Sequence, residues 1–321
     1  GASSGTLLCE IDLAGLVSGA PETRQLVFRY ETGAGFFQRY ELGAQFRTMK
    51  ALFDLGFPSP EPLWFDGSGE ITGLPGMFMT RVAGSAPSVS PFTEGPIVEV
   101  GDASVRHELM LNAARTIAHL HGFDASLPCF SHLVRGEVGE HWLHCEIDWA
   151  LGELRNALPR SAWGAKAEFY APAIEVIERV GAWLRRNVPI SRTPEVAHGD
   201  AHVTNFMFNG PQVTALLDYE LTHWGLGEAD LAYQMAFNSS FSLFCETLEG
   251  LPTEQDLIDA YVAVRGKLDD WDYAKVMGEW RAAIFRLMGG SRLRPEFEER
   301  QRGVWNNSHS RLKALLPDLV D

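Results

Sequence analysis

The first 83 residues read as strands with one helix, and Thr6 to Asp12 alternates loosely between apolar and polar positions. Thr6 to Asp12 and Gln25 to Tyr30 read as strands, parted by a turn around Gly19-Ala20-Pro21. From Phe37 to Leu55 the period changes. Leu42, Phe46, Met49, Leu52 and Phe53 recur at helical spacing, Gly56 caps the helix and Pro58 stops it. Leu63-Trp64-Phe65 and Met77-Phe78-Met79 predict two more short strands. Beyond them helical periods dominate. Met110, Ala113, Ala114, Ile117, Ala118 and His121 fall on one face, and Ile174, Ile177, Val180 and Leu184 form another stripe. Further helices are expected near 228–238, 254–265, 272–288 and 295–315. Residues 84–102 are rich in Ser, Pro and Gly and have no period, so the pattern divides the chain at Ala83-Gly84. The expectation is an α+β protein with a small β-rich lobe (1–83) and a larger helical lobe (84–321).

One stretch breaks the helical pattern. His198-Gly199-Asp200-Ala201-His202-Val203-Thr204-Asn205 leads into Phe206-Met207-Phe208, a turn at Asn209-Gly210, the run Val213 to Leu217, and then Asp218-Tyr219-Glu220. Asn-Gly between two apolar runs is a strong hairpin signal. A hairpin here brings Asn205 and Asp218 to the open end of one ladder, with Asp200 in the loop that feeds it. Two carboxylates and an amide oxygen then converge. Such hard oxygen donors suit Mg²⁺, with waters and phosphate oxygens completing its octahedron. Asp200 is left to orient or deprotonate a hydroxyl. Metal, base and positioned phosphate are the requirements of phosphoryl transfer. His198-x-Asp200-x-His202 also has the form of a metallohydrolase fragment, but no third ligand appears at a recognised spacing. His141-x-x-His144-Cys145, set among tryptophans and leucines, reads as structural, as do His119 and His121 at a helix end.

Composition narrows the partners. The chain has 45% apolar and 21% charged residues, an ordinary globular balance, and a formal net charge of −15. That charge argues against a nucleic-acid backbone or an anionic membrane as the main partner, since both would be repelled. A compact polyanion such as ATP remains compatible with a local site of backbone N–H groups and a metal. The four cysteines, Cys9, Cys129, Cys145 and Cys245, never form a CxxC pair. With no leader-like or membrane-spanning run in the sequence, a cytoplasmic setting is the expectation.

The order His198-x-Asp200-x-x-x-x-Asn205, then Asp218-x-Glu220, then Gly227-Glu228-Ala229-Asp230-Leu231-Ala232, resembles the aminoglycoside phosphotransferase and choline kinase-like family. It is most similar to the kinase-like domains related to those fused to acyl-CoA dehydrogenases. The resemblance implies a bilobal protein-kinase-like fold and an ATP-dependent, Mg²⁺-requiring small-molecule kinase. By position it implies Asp200 as catalytic base, Asn205 and Asp218 as Mg²⁺ ligands and Glu220 as a second-site ligand, with His198 bracing the loop. Gly1 to Thr6 resembles the glycine-rich phosphate loop, including Ser3, Ser4 and Gly5, and the sequence opens inside it. Arg29 stands in the place of the phosphate-anchoring lysine, and Thr80 and Val82 in that of the hinge that reads adenine through the backbone. The family's helix glutamate is replaced by Gln45 in one register, with Glu41 a turn earlier. A pseudokinase that binds nucleotide and regulates a partner is therefore the alternative. The phosphoryl acceptor is expected to be a small-molecule hydroxyl. An acidic helical lobe suits a cationic aminoglycoside, while the subfamily likeness points to a hydroxylated acyl thioester or another metabolite alcohol.

Overall fold

The computed structural model describes residues 4–12, 23–33, 37, 41–137, 139–158, 167–246, 248–290 and 298–320. It begins with a sheet. Strand β1 (Ser4–Asp12) pairs antiparallel with β2 (Thr23–Glu31), and β2 pairs with β4 (Gly76–Thr80), which pairs with β3 (Pro62–Asp66). The spatial order is β1-β2-β4-β3. Helix α1 (Leu42–Asp54) lies between β2 and β3 in the chain. It buries Leu42, Met49 and Leu52 in the core that also takes Met77 and Met79 from β4. On β2, β4 and β3, Phe28, Phe78 and Trp64 form a stacked ladder, with centroids 4.7 and 5.9 Å apart.

The four strands expected in this region are present. The first starts two residues earlier than its alternation showed. The helix expected from Phe37 is formed from Leu42, with Glu41 as its N-cap residue. The turn around Gly19-Ala20-Pro21 lies outside the described residues, as do the first residues of the helix expected at 295.

The rest is mostly helix: α2 (Pro96–Glu99), α3 (Ala103–Leu120), α4 (Trp142–Ala157), α5 (Ala167–Arg186), α6 (Gly227–Phe241), α7 (Glu254–Arg265), α8 (Trp271–Gly290) and α9 (Glu298–Leu315). Asp102 caps α3 by accepting from the Ser104 and Val105 N–H groups, and Thr253 closes a capping box with Asp256 on α7. Short strands interrupt the helices. β5 (Glu195–Ala197) pairs with β8 (His223–Gly225), and β6 (Phe206–Asn209) forms the expected hairpin with β7 (Gln212–Leu216) around Gly210, at φ 58°.

Two apolar cores result. One runs from the sheet and α1 through α3 and the β6–β7 hairpin to α7, with Leu52, Met77, Leu109, Phe206 and Tyr261 among its members. The other joins α4, α5, α8 and α9 around Trp280, Ile177 and Leu312. Helix α6 contributes to both and is buried along nearly its whole first half. No helix among the described residues is long and apolar enough to cross a membrane.

Candidate active site

The site is built from the segment between β5 and α6. Phe206 pairs with Leu216 at the open end of the hairpin, and the Leu217 N–H donates to the Asn205 carbonyl at 2.8 Å. Asn205 and Asp218 are therefore neighbours across a ladder, as the hairpin pattern required. Asp218 adopts φ 65° and ψ 64°, the one positive φ of a non-glycine residue among the described residues. A side chain in this left-handed region costs conformational energy, which the flanking ladder and turn must supply.

His198 ties the two strands of the site together. Its Nδ1 accepts from the Asp200 N–H at 3.2 Å, so the proton sits on Nε2, which donates to the Leu217 carbonyl at 2.9 Å. Burial pushes its pKa down and keeps the ring neutral. Asp230, at the start of α6, accepts from the His198 N–H at 2.6 Å and the Gly199 N–H at 3.2 Å. Burial alone would raise the Asp230 pKa. The Arg281 guanidinium at 2.5 Å and His121 at 3.2 Å outweigh it and hold the carboxyl well below its ordinary range. Arg281 also meets Glu146 of α4 at 3.0 Å, so a buried ion network anchors the loop to α4 and α8.

The Asp200 carboxylate is held on both oxygens. Tyr233 donates its hydroxyl to Oδ1 at 2.5 Å. Oδ2 accepts from Asn205 Nδ2 at 3.0 Å and faces His202 Nε2 at 3.3 Å. Burial pushes the Asp200 pKa up, but the charge and hydrogen bond of His202 and the bond from Tyr233 overcome that and leave it lowered. His202 responds in the opposite sense: burial lowers its pKa, the Asp200 carboxylate outweighs burial, and the net shift is upward. Its ring stacks on Phe237 at 4.9 Å. With Nδ2 committed to Asp200, Asn205 keeps Oδ1 as its acceptor.

Arg29 of β2 crosses from the sheet to this segment. Its Nη2 meets Asp218 Oδ1 at 2.6 Å, and its Nε donates to Ser4 Oγ at 2.8 Å. Gln45 is buried on α1 with both amide atoms unbonded. Ser4 and Gly5 belong to β1, in register with Glu31 and Tyr30, so these two residues extend the sheet and are not loop; Ser3 lies outside the described residues. The Thr80 N–H donates to the Glu61 carbonyl at 2.9 Å, its Oγ1 accepts from the Glu61 N–H at 3.0 Å, and Val82 follows just beyond the end of β4. Glu220 lines a separate cavity with Gln45 and Arg135. Among the described residues, no three His, Cys, Asp or Glu side chains gather as a metal cluster.

Sequence reasoning missed Tyr233 and Arg281. Tyr233 had a signal. It lies three residues after Asp230 and four before Phe237, on the face of α6 that meets the loop.

A strand-loop-hairpin site beneath a small antiparallel sheet, with a charged strand residue reaching its carboxylate, defines the class of protein-kinase-like phosphotransferases. Solved structures agree in fold. The chain is similar over 98% of its length to an aminoglycoside phosphotransferase-like structure from Ralstonia eutropha (17% identity, 93% of that chain, TM-score 0.68). It is also similar to an aminoglycoside phosphotransferase solved with AMP-PNP and hygromycin B (13%, 91% of that chain, 0.59) and to an ethanolamine kinase of Plasmodium vivax (13%, 83% of that chain, 0.55). The chain belongs to the phosphotransferase enzyme family, whose model matches residues 22–277. Among sequences, it is 30% identical over 244 residues to acyl-CoA dehydrogenase family member 11 of Gallus gallus and 26% identical over 275 residues to that of Rattus norvegicus. These matches take in 71% and 78% of the chain but only 28% and 31% of the relatives, so the chain spans less than a third of their length.

Proposed function

We propose that the chain transfers the γ-phosphoryl group of ATP to a hydroxyl of a small molecule. The observation that carries this reading is the convergence of Asp200, Asn205 and Asp218 with Arg29 bound to Asp218 at 2.6 Å. In this reading the acceptor hydroxyl lies against Asp200, which orients it and takes its proton. Arg29 leaves Asp218 for the phosphates and neutralises charge there. Ser4 and Gly5 border the phosphates from the sheet side, and the carbonyl of Thr80 and the backbone of Val82 meet the adenine edge.

The donor set fits Mg²⁺, because the Asp218 carboxylate and Asn205 Oδ1 are hard oxygens and two protein ligands leave room for phosphate oxygens and water. When bound, the metal supplies Lewis-acid charge stabilisation on the phosphates. Glu220 would join only through a second metal.

For the acceptor, a cavity of about 390 Å³ is lined by Phe237, Phe241, Phe244 and Phe285, with Ser240, Arg286 and Arg300 at its polar points. Phe237 and Phe285 both touch the Tyr233 ring, so the cavity adjoins Asp200. An aromatic lining with arginines, and with no carboxylate among the described residues, suits a hydroxyl on an apolar chain with an anionic end better than a polycation. The relatives' name, acyl-CoA dehydrogenase family member, supports a hydroxylated acyl thioester in the same direction.

A second reading is a nucleotide-binding regulator without turnover; Gln45, with no charge to offer Arg29, favours it. Acceptor-stimulated ADP release from a panel of hydroxyacyl thioesters and aminoglycosides separates the two. Under the kinase reading, Asp200→Asn keeps Mg-ATP affinity within a few-fold and lowers turnover ~10²–10⁴-fold. Asp218→Ala lowers both. An Asp200→Asn enzyme with unchanged turnover sinks the assignment.

A further inference from the structure

A second cavity, of about 470 Å³, lies between α1, the turn that follows Asp218 and the loop leading into α4. Asp200, Asn205, Asp218 and Arg29 take no part in its walls. Three polar side chains line it from three separate elements, each with a buried atom that lacks a hydrogen-bond partner. Gln45 of α1 is 2% exposed and neither amide atom is bonded. Thr222 is 8% exposed and its hydroxyl is unbonded. Arg135 donates Nη2 to the Leu221 carbonyl at 2.9 Å and lies 3.8 Å over the Trp149 ring, while its buried Nη1 has no acceptor. Buried polar groups are nearly always satisfied, because leaving one unpaired forfeits its hydration without return. Three at one cavity mark a place shaped for a partner.

The chemistry of the walls selects that partner. These inner groups are mainly donors, and one is a cation, so they call for an anionic acceptor. The rest of the lining carries the opposite sign, with Glu220 half-buried and Glu41, Glu140 and Asp148 exposed around the opening. Asp148 is already paired with Arg185 at 2.6 Å, which leaves Glu41 and Glu140 as the negative charges at the mouth that meet no cation among the described residues. A simple anion would satisfy the inner donors but pass two carboxylates to reach them. A polyamine would satisfy the carboxylates but set a cation against Arg135. A molecule with a carboxylate at one end and an ammonium at the other satisfies both, and the Trp149 and Tyr219 rings offer its side chain an apolar wall.

We propose that this cavity is a binding site for a zwitterion of amino-acid type, its carboxylate received by Arg135, Gln45 and Thr222 and its ammonium by Glu41 and Glu140. The ligand bridges α1 to the turn that follows Asp218, so the site abuts the catalytic segment without using Asp200, Asn205, Asp218 or Arg29.

The test uses the full chain and the free proteinogenic amino acids, each added singly, with thermal shift as the screen and titration calorimetry on hits. At least one should bind saturably, and its methyl ester and its N-acetyl derivative should each bind at least about tenfold more weakly, as expected for losing one charge-assisted contact. Gln45→Leu and Thr222→Val should each weaken that binding by a comparable factor; where Gln45→Leu fails to fold, Thr222→Val decides. Saturating Mg-ATP should leave the ligand bound. The proposal is overturned if no amino acid binds saturably, which leaves water as the occupant, if a binder keeps its affinity in Thr222→Val, or if Mg-ATP displaces it competitively. None of these readouts depends on turnover, so they stand apart from the kinase reading.

Discussion

Tyr233→Phe isolates one bond to the proposed base. The change keeps the ring, and with it the contacts to Phe237 at 4.7 Å, Phe285 at 6.1 Å and the Arg281 guanidinium at 5.0 Å. It removes only the hydroxyl that donates to Asp200 Oδ1 at 2.5 Å. Burial and the Asp200 charge push the Tyr233 pKa far up, so this hydroxyl is a donor at every working pH. A hydrogen bond to an ionised acceptor is worth about 1.5–3 kcal/mol. Because that bond favours the charged form, its loss should raise the Asp200 pKa. His202 and Asn205 still hold the other oxygen, so the carboxylate stays in place. The acid limb of kcat/KM should move to higher pH, and carboxyl ¹³C chemical shifts should follow the same titration. Stability should change in step. A carboxyl with a lowered folded pKa stabilises the fold above its unfolded pKa, and that contribution is lost as pH falls through the folded value. Urea unfolding should therefore show a deficit of about 1.5–3 kcal/mol at neutral pH that vanishes in acid. An acid limb and a neutral-pH stability both equal to wild type would refute the coupling between Tyr233 and Asp200.

Mg-ATP should raise the melting temperature by several degrees at high excess while Mg²⁺ alone does little, because two protein donors hold the ion only with phosphate help; an equal shift with ATP and a chelator contradicts this. Arg281→Met leaves Asp230 and Glu146 buried without their shared cation, a loss of about 3–5 kcal/mol on denaturant unfolding, and a deficit near zero would remove the network as the loop's anchor.

The parts of the site that were legible in the sequence are those close together along it. Asp200, Asn205 and Asp218 lie within one loop and one hairpin, and Asn209-Gly210 announced the fold that joins them. The rest depends on packing between distant segments. The pair Arg29–Asp218 spans 189 residues, and no local pattern encodes it. Arg281 sits in a helix buried along most of its length, where a polar residue at an apolar position was the only hint of the Asp230–Glu146 network. Ser4 and Gly5 have the local chemistry of a loop, yet ladder pairing with β2 prevails. Glycine suits that strand position because a Cβ on Gly5 would fall 2.2 Å from the side chain of Tyr30, its partner across the ladder.

The segment after Thr80 is fastened to the hairpin. The Ser85 N–H donates to the Phe208 carbonyl at 2.9 Å, the Phe208 N–H returns a bond to the Ser85 carbonyl at 2.8 Å, and Thr214 Oγ1 donates to the Ala83 carbonyl at 2.7 Å. Gly84, at φ 103°, permits the approach, since a Cβ there would lie 2.1 Å from the Phe208 oxygen. Residues 83–85 and the hairpin are thus tied into one piece, while Arg29 and Thr80 both ride on the sheet, where Leu26 of β2 pairs with Thr80 of β4. On the proposed pose, a swing of the sheet would carry Arg29 and Thr80 away together and leave residues 83–85 with the hairpin, so the bend would fall at Arg81 and Val82.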